Sequence, residues 1–143
     1  MKKNKAILNA FILMIMILNV VSCKETGTNT KDTVSALLRS GKWKLNNATV
    51  DGVNKNDLFT GFEITFSAGS YTSSNGDPVW ASTDTWVFTD DNATAFTRND
   101  AIVVTIQSLT ESNLKLALTW NKTTLGGGRN NSINGNHVFE LSH

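Results

Sequence analysis

Leu114-Lys115-Leu116-Ala117-Leu118-Thr119-Trp120 is the stretch of sequence that decides the fold. Its large apolar side chains occupy every second position, and Lys115, Ala117 and Thr119 lie between them. Because successive side chains of a β-strand point to opposite faces, this pattern predicts a strand with one face in a hydrophobic core. The same two-residue period recurs toward both ends of the chain.

Seven further segments, some of them with only one or two large apolar residues, show this alternation and lie between turn-forming residues. In chain order they carry Trp43 with Leu45, Phe62 to Phe66, Tyr71, the run Val79 to Phe88, Phe96, Ile102 to Ile106, and Phe139 with Leu141. A short helix capped by Asp32 or Thr33 and running through Leu38 is expected before the first strand.

Eight strands joined mostly by hairpin turns predict an all-β fold, an up-and-down antiparallel eight-stranded β-barrel with a short N-terminal helix. Barrel closure removes the exposed edges that an open sheet would leave. A Greek-key sandwich is the alternative fold. It needs a long crossover connection, for which only residues 46–60 and 121–135 are candidates.

The N-terminal segment resembles a bacterial lipoprotein signal peptide. Lys2, Lys3 and Lys5 precede an apolar run, and Val20-Val21-Ser22-Cys23 fits the lipobox, whose cysteine becomes acylated. The resemblance implies a signal peptide at 1–22, a flexible tether at 23–34 from lipidated Cys23, and a barrel domain at 35–143. A transmembrane anchor is the alternative, but the apolar run is shorter than the ~20 residues that a spanning helix needs.

Removal of the signal changes the formal charge of the chain. The number of Lys and Arg residues falls from thirteen to ten, whereas the number of Asp and Glu residues stays at twelve. The formal net charge is therefore +1 for the precursor and −2 for the expected mature chain. A mildly acidic chain without a basic cluster excludes nucleic acid as a partner. Membrane attachment is therefore expected through the lipid. In Gram-negative lipoproteins, an Asp directly after the lipidated cysteine favours retention in the inner membrane. This chain has Lys24 at that position, which favours the outer membrane of the cell envelope.

Gly41-Lys42-Trp43 at the start of the first strand resembles the Gly-x-Trp signature of lipocalins. The stretches Phe62–Phe66 and Trp86–Phe88 are similar to lipocalin-like domains of small bacterial envelope lipoproteins. The resemblance implies that Trp43 closes the barrel floor against an arginine. The last strand has no arginine, so Arg98 or Arg129 is expected to stack on Trp43. The alternative is that Trp43 is an ordinary core residue.

An eight-stranded barrel is wide enough either to hold one small ligand or to be filled by side chains. The first possibility makes the protein a carrier of a small apolar ligand. The second makes it a structural or interaction lipoprotein that binds another envelope protein through loops such as 51–60 or 121–135. The residues predicted to line the interior and contact a ligand are Trp80, Asp84, Trp86, Phe88, Arg98, Trp120, His137 and Phe139.

Three of these inward positions are polar, namely Asp84, Arg98 and His137. Buried polar groups need partners, so contacts of Asp84 with Arg98 or His137 are one interpretation. The other is that the three side chains orient a polar group of the ligand.

No catalytic motif is present, so we predict a protein that is not an enzyme and has no cofactor. The two histidines, His137 and His143, lie six residues apart in the last strand without an obvious third ligand, which argues against zinc. Residues 51–57 lack the ligand spacing of a calcium loop.

Overall fold

A computed structural model describes residues 30–122 and 133–143. The described part contains one α-helix, one 3₁₀ helix (Asn56–Phe59) and nine strands. The helix is α1 (Thr30–Leu38), and the strands are β1 (Lys42–Val50), β2 (Val53–Asn54), β3 (Glu63–Ser67), β4 (Ser70–Ser74), β5 (Thr83–Phe88), β6 (Ala95–Arg98), β7 (Val103–Leu109), β8 (Asn113–Trp120) and β9 (Gly135–Ser142).

The strands form one closed barrel. From β3 to β9 each strand pairs antiparallel with the next, β3 also pairs with the start of β1, and β9 pairs with β1 along most of its length. The two-residue strand β2 only extends the far end of β1, so β1 and β3 to β9 make an eight-stranded barrel. The predicted up-and-down barrel is confirmed, and the Greek-key sandwich is wrong.

The predicted helix is present, but it begins at Thr30, before the expected caps. Asp32 and Thr33 therefore lie inside the helix, where Asp32 is an acidic residue of the first turn. Residues 30–34 of the expected tether are helical. Residues 23–29 and the signal segment, including Cys23, lie outside the described residues.

A β-bulge in β1 changes which side chains face the core. The register with β9 shifts between Leu45 and Asn47. Trp43 is buried before the bulge, whereas Ala48 and Val50 are buried after it. The extra residue reverses the alternation, so one strand contributes odd positions at its start and even positions at its end.

The run Val79 to Phe88 is only partly a strand. Strand β5 starts at Thr83, and Val79 and Trp80 belong to the loop of residues 75–82. Both side chains are nevertheless fully buried, because the loop folds into the barrel. Gly76 permits this approach, since a Cβ at that position would lie 2.6 Å from the Trp80 Cβ and 2.7 Å from a Phe62 ring carbon.

The barrel has two different ends. At the first, which we call the floor, α1 and the start of β1 meet the end of β9. At the second, which we call the Trp80 end, β1, β4, β6 and β8 finish and the loop of residues 75–82 inserts Trp80.

Candidate functional site

The floor is closed by Trp43, as the lipocalin resemblance implies, but its stacking partner differs. The imidazole of His143 lies parallel to the Trp43 ring at 4.2 Å between centroids, and Trp43 Nε1 donates to the carbonyl of Leu38 at 2.8 Å. His143 also contacts the Glu111 carbonyl through Nε2. The expectation that Arg98 stacks on Trp43 is wrong, and Arg129 lies outside the described residues.

Gly41 is needed at the floor because His143 lies against it. A Cβ on Gly41 would lie 2.5 Å from His143 Nδ1. The Gly-x-Trp signature of this chain therefore leaves room for the C-terminal histidine to cover Trp43.

Aromatic rings fill much of the barrel interior above the floor. Phe139 contacts Phe59, Phe62 and Trp80 at centroid distances of 5.0, 5.4 and 5.8 Å. A second group joins Phe66, Trp86, Phe88 and Phe96 at 4.9 to 6.0 Å. Such edge and tilted contacts are the favoured geometry of packed aromatic rings.

Arg98 is the last residue of β6 at the Trp80 end and is almost fully buried, with 3% of its surface exposed. Its guanidinium forms a bidentate pair with Asp100 at 2.6 and 3.2 Å and donates to the Val79 carbonyl at 2.7 Å. It also lies 5.0 Å from the centre of the Trp80 ring and 6.0 Å from that of Trp120. Arg98 thus ties the loop of residues 75–82 to β6.

The contacts suggested for Asp84 are therefore wrong. Arg98 pairs with Asp100, and His137 Nε2 donates to the Ile133 carbonyl at 2.7 Å. Asp84 is half-buried beside Tyr71 and forms no ion pair among the described residues. Arg98 and Asp100 are two positions apart in the sequence, and the turn that brings their side chains together is not visible in the strand alternation.

Four buried polar atoms near the Trp80 end have no hydrogen-bond partner among the described residues. They are Tyr71 Oη, Trp80 Nε1, Trp120 Nε1 and His137 Nδ1. Each side chain that carries one is at least nine-tenths buried. An unsatisfied buried polar group costs about 1–3 kcal/mol, so the group requires an explanation such as bound water or a ligand.

The side chains that carry the unpaired atoms are connected to Arg98 or to the aromatic core through close contacts. The Tyr71 and Trp80 rings touch edge to face at 5.5 Å, and the Trp120 ring centre lies 6.0 Å from the Arg98 guanidinium. His137 stacks on Phe139 at 5.9 Å, and Phe139 in turn contacts Trp80. We call these four side chains with Arg98 the Trp80 cluster.

Asp100, beside the Trp80 cluster, and His137, within it, each have a pKa that keeps them in a single protonation state at neutral pH. Burial opposes ionisation of Asp100, but hydrogen bonds from Arg98 and Lys122 and the charge of Arg98 outweigh it, so its pKa falls to about 2. Burial lowers the pKa of His137, against weaker opposing effects of the Ile133 carbonyl and Asp51. At neutral pH, Asp100 is therefore a carboxylate and His137 is a neutral imidazole.

Tyr71 is the only tyrosine of the chain, so its ionisation can be followed directly. Burial raises its pKa to about 12, the charge of Arg98 lowers it, and Asp84 adds to the rise. Because the folded-state pKa exceeds the unfolded value of about 10, Tyr71 contributes stability that is complete below pH 10 and is lost toward pH 12.

Tyrosinate absorbance should show a titration midpoint near pH 12 in the folded chain and near pH 10 in urea. A midpoint near pH 10 in the chain that is still folded would contradict a buried Tyr71. The Tyr71→Phe variant has no tyrosine and gives the background absorbance to subtract.

Most of the predicted lining residues face the interior. The buried ones are Trp80, Trp86, Arg98, Trp120, His137 and Phe139. Asp84 and Phe88 are half-buried, the latter beside Trp86 at 4.9 Å. Trp86 Nε1 donates to the Ser70 carbonyl at 2.9 Å, so Trp86 differs from Trp80 and Trp120 in having a partner.

Sequence reasoning missed three residues of this region. Phe59 comes from the 3₁₀ helix inside residues 51–60, which the sequence analysis interprets as a loop, and the apolar pair Leu58-Phe59 is the available signal. Ile133 and Asp100 lie in connections between strands, where no periodicity marks a buried or pairing residue.

Comparisons with known proteins add no relative. Neither a scan against protein-family models nor a search of curated proteins returns a match to this chain. Within residues 30–122 and 133–143, no group of three or more His, Cys, Asp or Glu side chains is placed to hold a metal ion. The same residues include no helix whose length and hydropathy would allow it to cross a membrane.

Proposed function

We propose that this chain is a lipid-anchored, lipocalin-like binding protein of the bacterial cell envelope, with a small-molecule site at the Trp80 end. The observation that carries the site is the set of four buried polar atoms without partners described above. Binding sites for small molecules are mostly apolar with a few polar groups that fix orientation, and the Trp80 cluster has this composition.

The proposed location rests on the N-terminal sequence. The lipobox ending at Cys23 supports lipid attachment, and Lys24 supports the outer membrane. A polar segment between Cys23 and Thr30, which reads Lys-Glu-Thr-Gly-Thr-Asn, supports a spacer between the lipid and the barrel.

Titration with the neutral apolar dye N-phenyl-1-naphthylamine tests the binding function. The chain from Lys24 onward contains every described helix and strand and should bind one dye molecule per chain in a saturable manner. A Val87→Ser, Val103→Ser variant is the control, because both valines are exposed on the outside of the barrel. Saturable binding that survives in this variant supports an internal site. Absence of saturable binding would contradict the proposal.

A second function is favoured by the aromatic contacts across the interior. If they exclude every ligand, the protein is a structural or interaction lipoprotein that binds another envelope protein. The outer face of β7, β8 and β9 then offers a groove of about 450 Å³ lined by uncharged side chains such as Thr105, Gln107 and Ala117. Photo-crosslinking from position 105 in intact cells, compared with position 72 on the outside of β4, would capture such a partner.

A further inference from the structure

The indole of Trp80 occupies a space that four other side chains surround. Its ring contacts Phe62 at 6.0 Å, Tyr71 at 5.5 Å and Phe139 at 5.8 Å between centroids. The Arg98 guanidinium lies 5.0 Å from the centre of the same ring. Because all four contact one ring, they line one common space, which has the size and flat shape of an indole. Without the Trp80 side chain, this space would be an aromatic pocket with a cation beside it.

Trp80 reaches this space from a loop at the protein surface and not from a strand. In the loop of residues 75–82, the side chains of Asp77, Ala81 and Ser82 are exposed, whereas Trp80 is fully buried. Solvent therefore lies on the outer side of the loop. A movement of this loop alone would carry the indole out of the barrel, without separating paired strands.

The loop has a weak polar attachment to the barrel at this point. Among the described residues, the hydrogen bond from Arg98 Nη1 to the Val79 carbonyl, at 2.7 Å, is the one that reaches residues 76–80 from the barrel. Apolar packing supplies the rest, since Val79 and Trp80 are fully buried, and a ligand ring in place of the indole would restore much of it. Arg98 stays paired with Asp100 when the loop is released, so the guanidinium remains beside the vacated space.

The indole nitrogen of Trp80 disfavours the buried position of the side chain. Trp80 Nε1 has no hydrogen-bond partner among the described residues, whereas Trp86 Nε1 donates to the Ser70 carbonyl. An indole that moves into solvent donates to water, so displacement satisfies Trp80 Nε1. A ligand ring without a donor at that position would fill the space and leave no N–H group unpaired there.

We propose that Trp80 is a built-in plug of the ligand site, and that the ligand is a flat aromatic compound about the size of indole that displaces the Trp80 side chain. The ligand ring takes over the contacts with Phe62, Phe139 and Arg98. Attraction between the guanidinium and a π-system favours an aromatic ring over a saturated ring of the same skeleton. This inference rests on the proposed function, because it names the ligand class of the same site.

Fluorine NMR follows the plug directly. The chain has four tryptophans, so the chain from Lys24 onward labelled with 5-fluorotryptophan should give four resonances. Saturation with 2-naphthol, a neutral flat compound, should make the Trp80 resonance sensitive to exchange of H₂O for D₂O. The Trp86 resonance should stay insensitive and is the internal control. Trp80→Phe lacks one resonance and so assigns that of Trp80. If it does not fold, Trp43→Phe, Trp86→Phe and Trp120→Phe assign the other three.

A saturated analogue tests the ligand class. Decahydro-2-naphthol has the carbon skeleton and the hydroxyl of 2-naphthol but no aromatic ring. 2-Naphthol should bind at least about threefold more tightly, because the saturated compound has no π-system to face Arg98. Equal affinities of the two compounds would overturn the aromatic ligand class.

Gly76→Ala weakens the plug without changing the Trp80 side chain. The added Cβ would lie 2.6 Å from the Trp80 Cβ and 2.7 Å from a Phe62 ring carbon, so it forces the loop outward. 2-Naphthol should then bind at least about threefold more tightly than to the wild type, because less of its binding energy is used to displace the indole. Gly41→Ala is the matched control, since its Cβ presses on His143 at the floor and should leave the affinity unchanged.

The outcomes separate the plug from the binding function. Saturable binding of 2-naphthol while the Trp80 resonance stays insensitive to D₂O would overturn the plug and leave the binding function intact. An affinity of Gly76→Ala no higher than that of Gly41→Ala would also overturn the plug. Failure of both 2-naphthol and N-phenyl-1-naphthylamine to bind the wild type would overturn the proposed function itself.

Discussion

Trp43→Ala should lower the free energy of unfolding by about 3–5 kcal/mol, the cost of removing a large aromatic side chain from a core. Trp43 is fully buried, stacks on His143 and satisfies the Leu38 carbonyl. Alanine would leave a cavity between α1 and the barrel and an unpaired carbonyl beside it. Urea unfolding of the chain from Lys24 onward measures the loss.

Two control variants separate the contributions at the floor. Trp43→Phe keeps an aromatic ring but loses the hydrogen bond to Leu38 and part of the buried indole, so we expect a smaller cost of about 1–3 kcal/mol. Val87→Ala changes an exposed side chain and should stay within about 0.5 kcal/mol of the wild type. A loss below about 1 kcal/mol for Trp43→Ala would show that Trp43 does not close the floor in solution.

Under the proposed lipoprotein processing, Cys23→Ala should abolish lipid attachment completely, because the lipid would be attached through the thiol sulfur. Cells supplied with labelled fatty acid should incorporate label into the wild-type chain and none into the variant, and mass spectrometry should place the wild-type N-terminus at Cys23. Ser22→Ala is the matched control, since it keeps a small residue before the cysteine and should retain the label. Label in Cys23→Ala, or a wild-type chain that still carries residues 1–22, would refute the lipoprotein proposal.

The barrel could be predicted from the sequence because its strands depend on local alternation. Leu114 to Trp120 forms β8 as expected, and the same period places His137 and Phe139 inside β9. Arg98 also proved to be an inward residue of β6. These assignments need only the two-residue period of a strand, which is a property of neighbouring residues.

The rest depends on contacts between distant residues. The bulge after Leu45 reverses the alternation without a sequence signal, and Trp80 is buried by a loop rather than by a strand. His143 covers Trp43 from a hundred positions further along the chain, which no local pattern predicts. The partners of Arg98 likewise follow from how the turn before β7 folds.

The place where α1 begins has a consequence for how the proposed lipid anchor would orient the barrel. Lys31 binds Asp91 at 2.7 Å, in the turn between β5 and β6 at the floor, so the chain enters the barrel at that end. The seven residues from Cys23 to residue 29 span about 25 Å at most. A lipid on Cys23 would hold the floor toward the bilayer and direct the Trp80 end outward. A ligand would then arrive from the aqueous side, without passing through the leaflet that anchors the protein.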